Sequence, residues 1–102
     1  MTDPDIQNDP EAKRYLLRVG SETAVVAYNL TGSNLMITET LVPRALEGQG
    51  IASRMARHVV DDARSRGLHI LPVCPYFSAW LKKHPRDADV VHPTYRGLLG
   101  LD

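Results

Sequence analysis

The chain of 102 residues contains one cysteine, Cys74, so it cannot form an internal disulfide and lacks a second thiolate for a cysteine-based zinc site. It has no excess of either charge: Lys plus Arg and Asp plus Glu number 12 each, which leaves no net field to draw it to nucleic acid or to an anionic membrane. No apolar run approaches the roughly 18 to 20 residues that cross a bilayer, and Met1 to Asp9 is polar and acidic where a secretory signal would be basic and then apolar. The four histidines, His58, His69, His84 and His92, show no metal-ligand spacing and fit surface or capping positions better. Repeats and low-complexity tracts are missing as well. These absences predict a cytoplasmic protein held by packing alone, with no metal, no nucleic-acid partner and no membrane partner. They leave the oligomeric state open.

What is present is enough for one hydrophobic core and too little for two, with 43% of residues hydrophobic. Residues 1–11 hold two prolines, four acidic groups and almost no apolar periodicity, and read as a flexible leader before a single domain over 12–102. Tyr15 to Val19, Thr23 to Leu30 and Leu35 to Val42 are rich in Val, Ile, Leu, Thr and Tyr, with Ala24, Val26, Tyr28 and Leu30 on one face. Gly20-Ser21 and Thr31 to Asn34 separate these strands by too few residues for a crossover, so an antiparallel three-strand meander is expected.

After Pro43 the period changes. Ile51, Ala52, Met55, Ala56, Val59, Val60 and Ala63 recur at three and four residues, with Arg54, Arg57, His58, Asp61, Asp62 and Arg64 on the other side. Gly67 is placed to end this helix, and His69 to Val73 reads as a short buried strand that a right-handed crossover sets parallel to the third. Pro75 opens a short second helix with Phe77, Trp80, Leu81 and His84 on one face, stopped by Pro85. Phe77 and Trp80 fit the core or, second to that, a ligand contact from this helix. The pattern gives residues 86–102 no assignment. The fold class is α/β (α+β).

The order strand, glycine turn, helix around Glu47-Gly48-Gln49-Gly50-Ile51-Ala52 carries the chemistry. First-turn N–H groups have no partner inside a helix and the macrodipole is positive there, so a pyrophosphate can be held without a dedicated cation. Gly48 and Gly50 would let the backbone approach it closely. A turn that merely needs unusual backbone angles has the same signature.

With these residues in view, the chain resembles the GNAT superfamily of N-acetyltransferases. Its signature of Gln or Arg, two residues, Gly, one residue, then Gly or Ala opens the helix that binds the pyrophosphate of acetyl-coenzyme A. Here that window is Glu47 to Ala52, extended by Ser53 and preceded by Leu41-Val42-Pro43, with Glu47 where the signature has Gln or Arg. Thr23 to Asp89, including Leu46-Glu47-Gly48 and Pro72-Val73-Cys74-Pro75-Tyr76, is similar to a minimal branch of GNAT-like domains.

The resemblance implies a V-shaped splay between the third and fourth strands that admits the pantetheine arm. It assigns cofactor binding to Leu41, Val42, Pro43, Glu47, Gly48, Gln49, Gly50, Ile51, Ala52, Ser53, Cys74 and Tyr76. It implies an acyl transfer from acetyl-CoA to an amine acceptor, a small molecule or a protein, with no metal. Glu39 is the candidate base, though its alternation with Ile37 and Leu41 equally fits a solvent-facing strand position. Cys74 is a candidate nucleophile or a small buried hydrophobe. Tyr76 is a candidate proton donor to the thiolate or a packing ring; the family's usual tyrosine falls further into this helix, where the chain has Trp80, Lys82 and Lys83. Arg54 and Arg57 fit either phosphate contacts or a solvated helix face. Most family members add two further strands around the acceptor, so an acceptor cleft that is open or completed by a partner is expected. The other readings are a coenzyme A-binding or regulatory module without catalysis, and an interaction domain whose glycine turn is structural only.

Overall fold

The structure, a computed structural model, describes residues 3–101. Strands β1 (Ile6–Asp9), β2 (Arg14–Val19), β3 (Glu22–Thr31) and β4 (Asn34–Leu41) form an antiparallel meander. Helix α1 (Ile51–Arg66) crosses over to β5 (His69–Pro72), which pairs parallel with β4. Helices α2 (Pro75–Lys82) and α3 (Pro93–Leu99) follow, separated by a 3-10 segment over Pro85–Val90, and the strand order is β1-β2-β3-β4-β5.

The alternation that marked the strands sorts them into two faces. Ala24, Val26 and Tyr28 of β3, with Leu35 and Ile37 of β4, are buried against Met55, Val59 and Val60 of α1. Each fully buried side chain of this size stabilises the fold by roughly 2 kcal/mol. Leu16, Val25, Met36, Leu41 and Leu71 alternate with those residues and stand outside the core cluster, on the opposite face. Trp80 of α2 donates to Ser53 of α1, and Asp87 of the 3-10 segment binds Arg57 of α1, so these elements share the α1 side of the sheet.

One irregularity shapes the sheet. The β3–β4 register pairs Tyr28 with Ile37 and Ala27 with Glu39, leaving Thr38 as an extra residue. Such a bulge bends and twists its strand. On the other edge, β4 pairs with β5 only from Asn34 to Ile37, and the Cys74 N–H to Ile37 C=O bond (2.9 Å) is the last tie before the chain turns into α2. Beyond it, no described strand pairs with that edge of β4, and the two strands part as a fork. The V-shaped splay expected between the third and fourth strands therefore lies between β4 and β5.

Two sequence expectations are corrected, and one unassigned stretch gains its structure. Within the supposed leader, Ile6–Asp9 is a strand: Ile6 is buried, and Asn8 Oδ1 accepts from the Tyr28 hydroxyl at 2.6 Å. Met1 and Thr2, also assigned to that leader, lie outside the described residues. His58 is not on the solvated helix side; it is buried beside Tyr15, and its Nδ1 accepts the Asp3 N–H at 3.0 Å. The unassigned 86–102 stretch contains the end of the 3-10 segment, buried Val90 and Val91, and α3, whose first turn is capped when His92 Nδ1 accepts from Thr94 N–H. Asp102 lies outside the described residues.

Candidate active site

Helix α1 begins abruptly. Its N-cap, Gly50, has φ +72°, and Gly48 two residues earlier has φ +80°, a region that L side chains rarely adopt. No side chain caps the helix and no acid occupies its first turn. The first backbone bond runs from Arg54 N–H to Gly50 C=O at 3.0 Å, so the N–H groups of Ile51, Ala52 and Ser53 have no partner among the described residues. A Cβ built on Gly48 or Gly50 would meet nothing within 4 Å. The glycines are therefore required by their positive φ, and the space above the turn is open.

That space is a cavity of about 270 Å³. Of the residues singled out for cofactor binding, Val42, Glu47, Gly48, Gly50, Ile51, Ala52, Ser53 and Tyr76 line it, together with Leu46. Four others stand elsewhere. Gln49 is turned back toward Ala45 C=O at 3.5 Å, Pro43 precedes the 3-10 turn Arg44–Leu46, Leu41 faces the side of the sheet away from α1, and Cys74 is buried behind the cavity. Two larger concavities, of about 430 and 510 Å³, lie around Leu16 and Arg18 and around Lys83 and Arg86. Neither contains an uncapped helix terminus or a glycine turn.

The fork passes through the sheet, and the bulge decides which side chains face each mouth. On the α1 side, Thr40 Oγ1 lies 3.4 Å from Cys74 Sγ, and Cys74 is only 4% exposed. Tyr76, in the first turn of α2, is partly exposed beside them; burial first, and the neighbouring Cys74 second, raise its phenol above the ordinary value, so it keeps its proton at neutral pH. On the other side, Glu39 lies opposite Ala27 and is exposed. Leu41, 50% exposed, and Val73, 49% exposed, rim the same mouth. Glu39 and Cys74 thus occupy opposite faces of one opening.

The arginines after the turn are already engaged. Arg54 binds the Asp3 carboxylate at 2.8 and 3.0 Å. Arg57 forms a two-pronged pair with Asp87 at 2.8 and 3.0 Å and stands over the Trp80 ring, 4.9 Å from its centroid. Both side chains are 42% exposed, so they lie on the solvated helix face and carry carboxylate partners there. Leu46, which the sequence places at the head of the turn, lines the cavity, and Trp80 is buried with its Nε1 on Ser53 Oγ. Thr40 had no signal in the sequence, because only the bulge at Thr38 puts it on the Cys74 side.

Residues 14–90 match the sequence profile of the GCN5-related N-acetyl-transferase family. The fold is similar to the solution structure of a GCN5-like candidate N-acetyltransferase from Staphylococcus aureus, at 23% identity and a TM-score of 0.69 over 90% of this chain and 91% of that one. The search of curated proteins gives no match. Among the described residues no cluster of three or more His, Cys, Asp or Glu could hold a metal ion, and no helix is long and apolar enough to cross a membrane.

Proposed function

The chain belongs to the family of GCN5-related N-acetyl-transferases, and from that premise we propose that it transfers an acetyl group from acetyl-CoA to a primary amine. The observation that carries this reading is the uncapped α1 terminus, with three N–H groups that have no partner among the described residues and an open cavity beside the fork. That terminus suits a pyrophosphate, since the donors and the positive end of the dipole are already fixed in place. The unpaired edge of β4 beyond Ile37 suits the amide-bearing arm. When bound, acetyl-CoA supplies an activated thioester: a C–N bond forms to the amine, the C–S bond breaks, the amine gives up a proton and the departing thiolate takes one.

The chain's own residues suit those tasks by position. Glu39 at the far mouth of the fork is the proposed base, accepting the amine proton directly or through water. Tyr76, which retains its proton at neutral pH, is the proposed donor to the thiolate. Cys74 is 4% exposed, is not among the residues lining the cavity, and has the Thr40 hydroxyl as neighbour of its Sγ, which favours direct transfer over a covalent acyl-cysteine. Release of free coenzyme A thiol in the presence of a panel of primary amines tests the assignment. Tyr76→Phe should lower kcat by about 10²-fold while changing the donor Kd little, and Cys74→Ala should retain most of the turnover. Donor binding without acetylation of any amine would leave the binding-module reading standing instead.

A further inference from the structure

The face of the sheet away from α1 takes no part in the core cluster. Its middle is apolar and low: Val25, Ala27 and Leu16 form a shallow floor running from the fork across β3 to β2. Helices α1 and α2 lie on the other side, and the residues of this floor stand outside the core cluster. Its charges are placed unlike those of α1. The α1 arginines Arg54, Arg57, Arg64 and Arg66 each bind a carboxylate. Glu39, Arg14 and Arg18 are exposed on the open face and form no ion pair among the described residues. Asp9, which lies opposite Arg14 in register, instead accepts a hydrogen bond from Ala12 N–H.

Register supplies a ruler. Glu39, Ala27 and Arg14 form one row across β4, β3 and β2, so Glu39 and Arg14 are two strand spacings apart, about 10 Å. Arg18 is four residues further along β2, opposite Thr23. An acid therefore marks the fork, and two arginines without partners stand across an apolar floor from it. The charges are about 10 Å apart across the strands and about 13 Å apart along β2, and Leu16 and Arg18 line the concavity of about 430 Å³ at the β2 end, a spread that an extended chain covers and a small amine does not.

We propose that this face is the acceptor platform, and that it takes an amine carried on an acidic polypeptide segment, with the amine at Glu39 and carboxylates of the same segment over Arg14 and Arg18. This rests on the acetyl-transfer reading for the identity of the reacting amine, but the docking itself needs only the face and its charges. The platform explains why the base candidate stands on the face opposite the pyrophosphate turn: donor and acceptor approach the fork from opposite sides of the sheet.

The test compares two lysine peptides of equal length, one with glutamates and one with arginines flanking the lysine, by fluorescence anisotropy without donor and by acetylation with it. The wild type should bind and acetylate the acidic peptide at least about tenfold better at low ionic strength, since exposed charge contacts are screened by salt. Arg14→Glu/Arg18→Glu should reverse that preference while leaving the acetyl-CoA Kd unchanged, because neither arginine lines the donor cavity. Equal binding of the two peptides, an undiminished acidic preference in the double variant, or acetylation of free small amines in preference to both peptides would each overturn the proposal. Arginine-dependent binding of the acidic peptide without any acetylation would retain the platform and sink the transferase reading, so the two failures are told apart.

Discussion

At the scale of single residues, His58 is the position whose chemistry departs most from its place in the sequence pattern. It lies on α1 among charged neighbours, yet its ring is buried and its Nδ1 accepts the Asp3 N–H, which requires the unprotonated form. Desolvation lowers its pKa below the ordinary histidine value, against the opposing pull of Asp62, Asp3 and Asp61. Above about pH 6.5 the ring is neutral in both folded and unfolded chains; below it, the unfolded chain takes up a proton that the folded one resists. The melting temperature should therefore fall as pH drops from 7.5 to 5.5, and His58→Gln, which keeps an acceptor and cannot titrate, should flatten that slope. An identical slope in the variant would remove His58 as the cause. The two glycines of the turn make a second residue-scale case. At Gly50 an alanine meets open space but must adopt φ +72°, so Gly50→Ala should cost roughly 1 kcal/mol in urea unfolding through backbone strain alone.

Elements explain what single residues do not. The 3-10 segment Pro85–Val90 has little intrinsic preference to form, and it is fixed by Asp87, whose carboxylate receives Arg57 at 2.8 Å and Arg64 at 2.9 Å from two turns of α1. Burial alone would raise the Asp87 pKa, but the hydrogen bonds from Arg57 and Arg64 hold it below the usual carboxylate range. Asp87→Asn should lose about 2 kcal/mol near neutral pH, less than a fully buried pair because both arginines are about 40% exposed. The deficit should shrink as pH falls below about 4, where the carboxylate of the unfolded chain takes up a proton that the folded one resists, and vanish only once the folded carboxylate is protonated too. Chemical denaturation at pH 7 and at pH 3.5 reads both numbers. The bulge at Thr38 gives the other element-scale prediction. Removing that one residue restores a regular ladder with Ile37 and Glu39 on their present faces, so the variant lacking Thr38 should fold, straighten β4 and bind acetyl-CoA at least about tenfold more weakly. Unchanged affinity would show that the fork does not depend on the bulge. Neither feature could be read from the chain: a bulge is a mismatch between two strands, and Asp87 looks like any loop aspartate until two arginines from a distant helix meet it.

For the molecule as a whole, the legible parts were those whose signal is periodic or local. The period of 3.6 from Ile51 to Ala63 marked α1, alternation marked β2 to β4, and the sequence Gly48-Gln49-Gly50 marked the turn. What stayed hidden depends on long-range contact. Polar Ile6–Asp9 has one core residue, and its strand exists because the Leu17 to Arg14 edge offers a ladder to pair with. The end of the chain did contain usable cues, His92-Pro93 as cap and first turn and Gly100 as a left-handed terminus at φ +69°, but the helix between them is short and buries no residue fully, so it had no periodicity to announce it. The division of the candidate site between two faces was likewise invisible, because adding one residue to β4 reverses which side every later residue faces. Acetyl transfer by this chain requires a donor held at the α1 terminus. An amide-resolved NMR titration with acetyl-CoA tests this most directly, with Gly48→Glu/Gly50→Glu as the comparison. The Gly48, Gly50, Ile51, Ala52 and Ser53 amides of the wild type should shift together on a single binding curve, and the double variant should show no such shifts; shifts confined to other regions, or identical shifts in the double variant, would contradict donor binding at this turn.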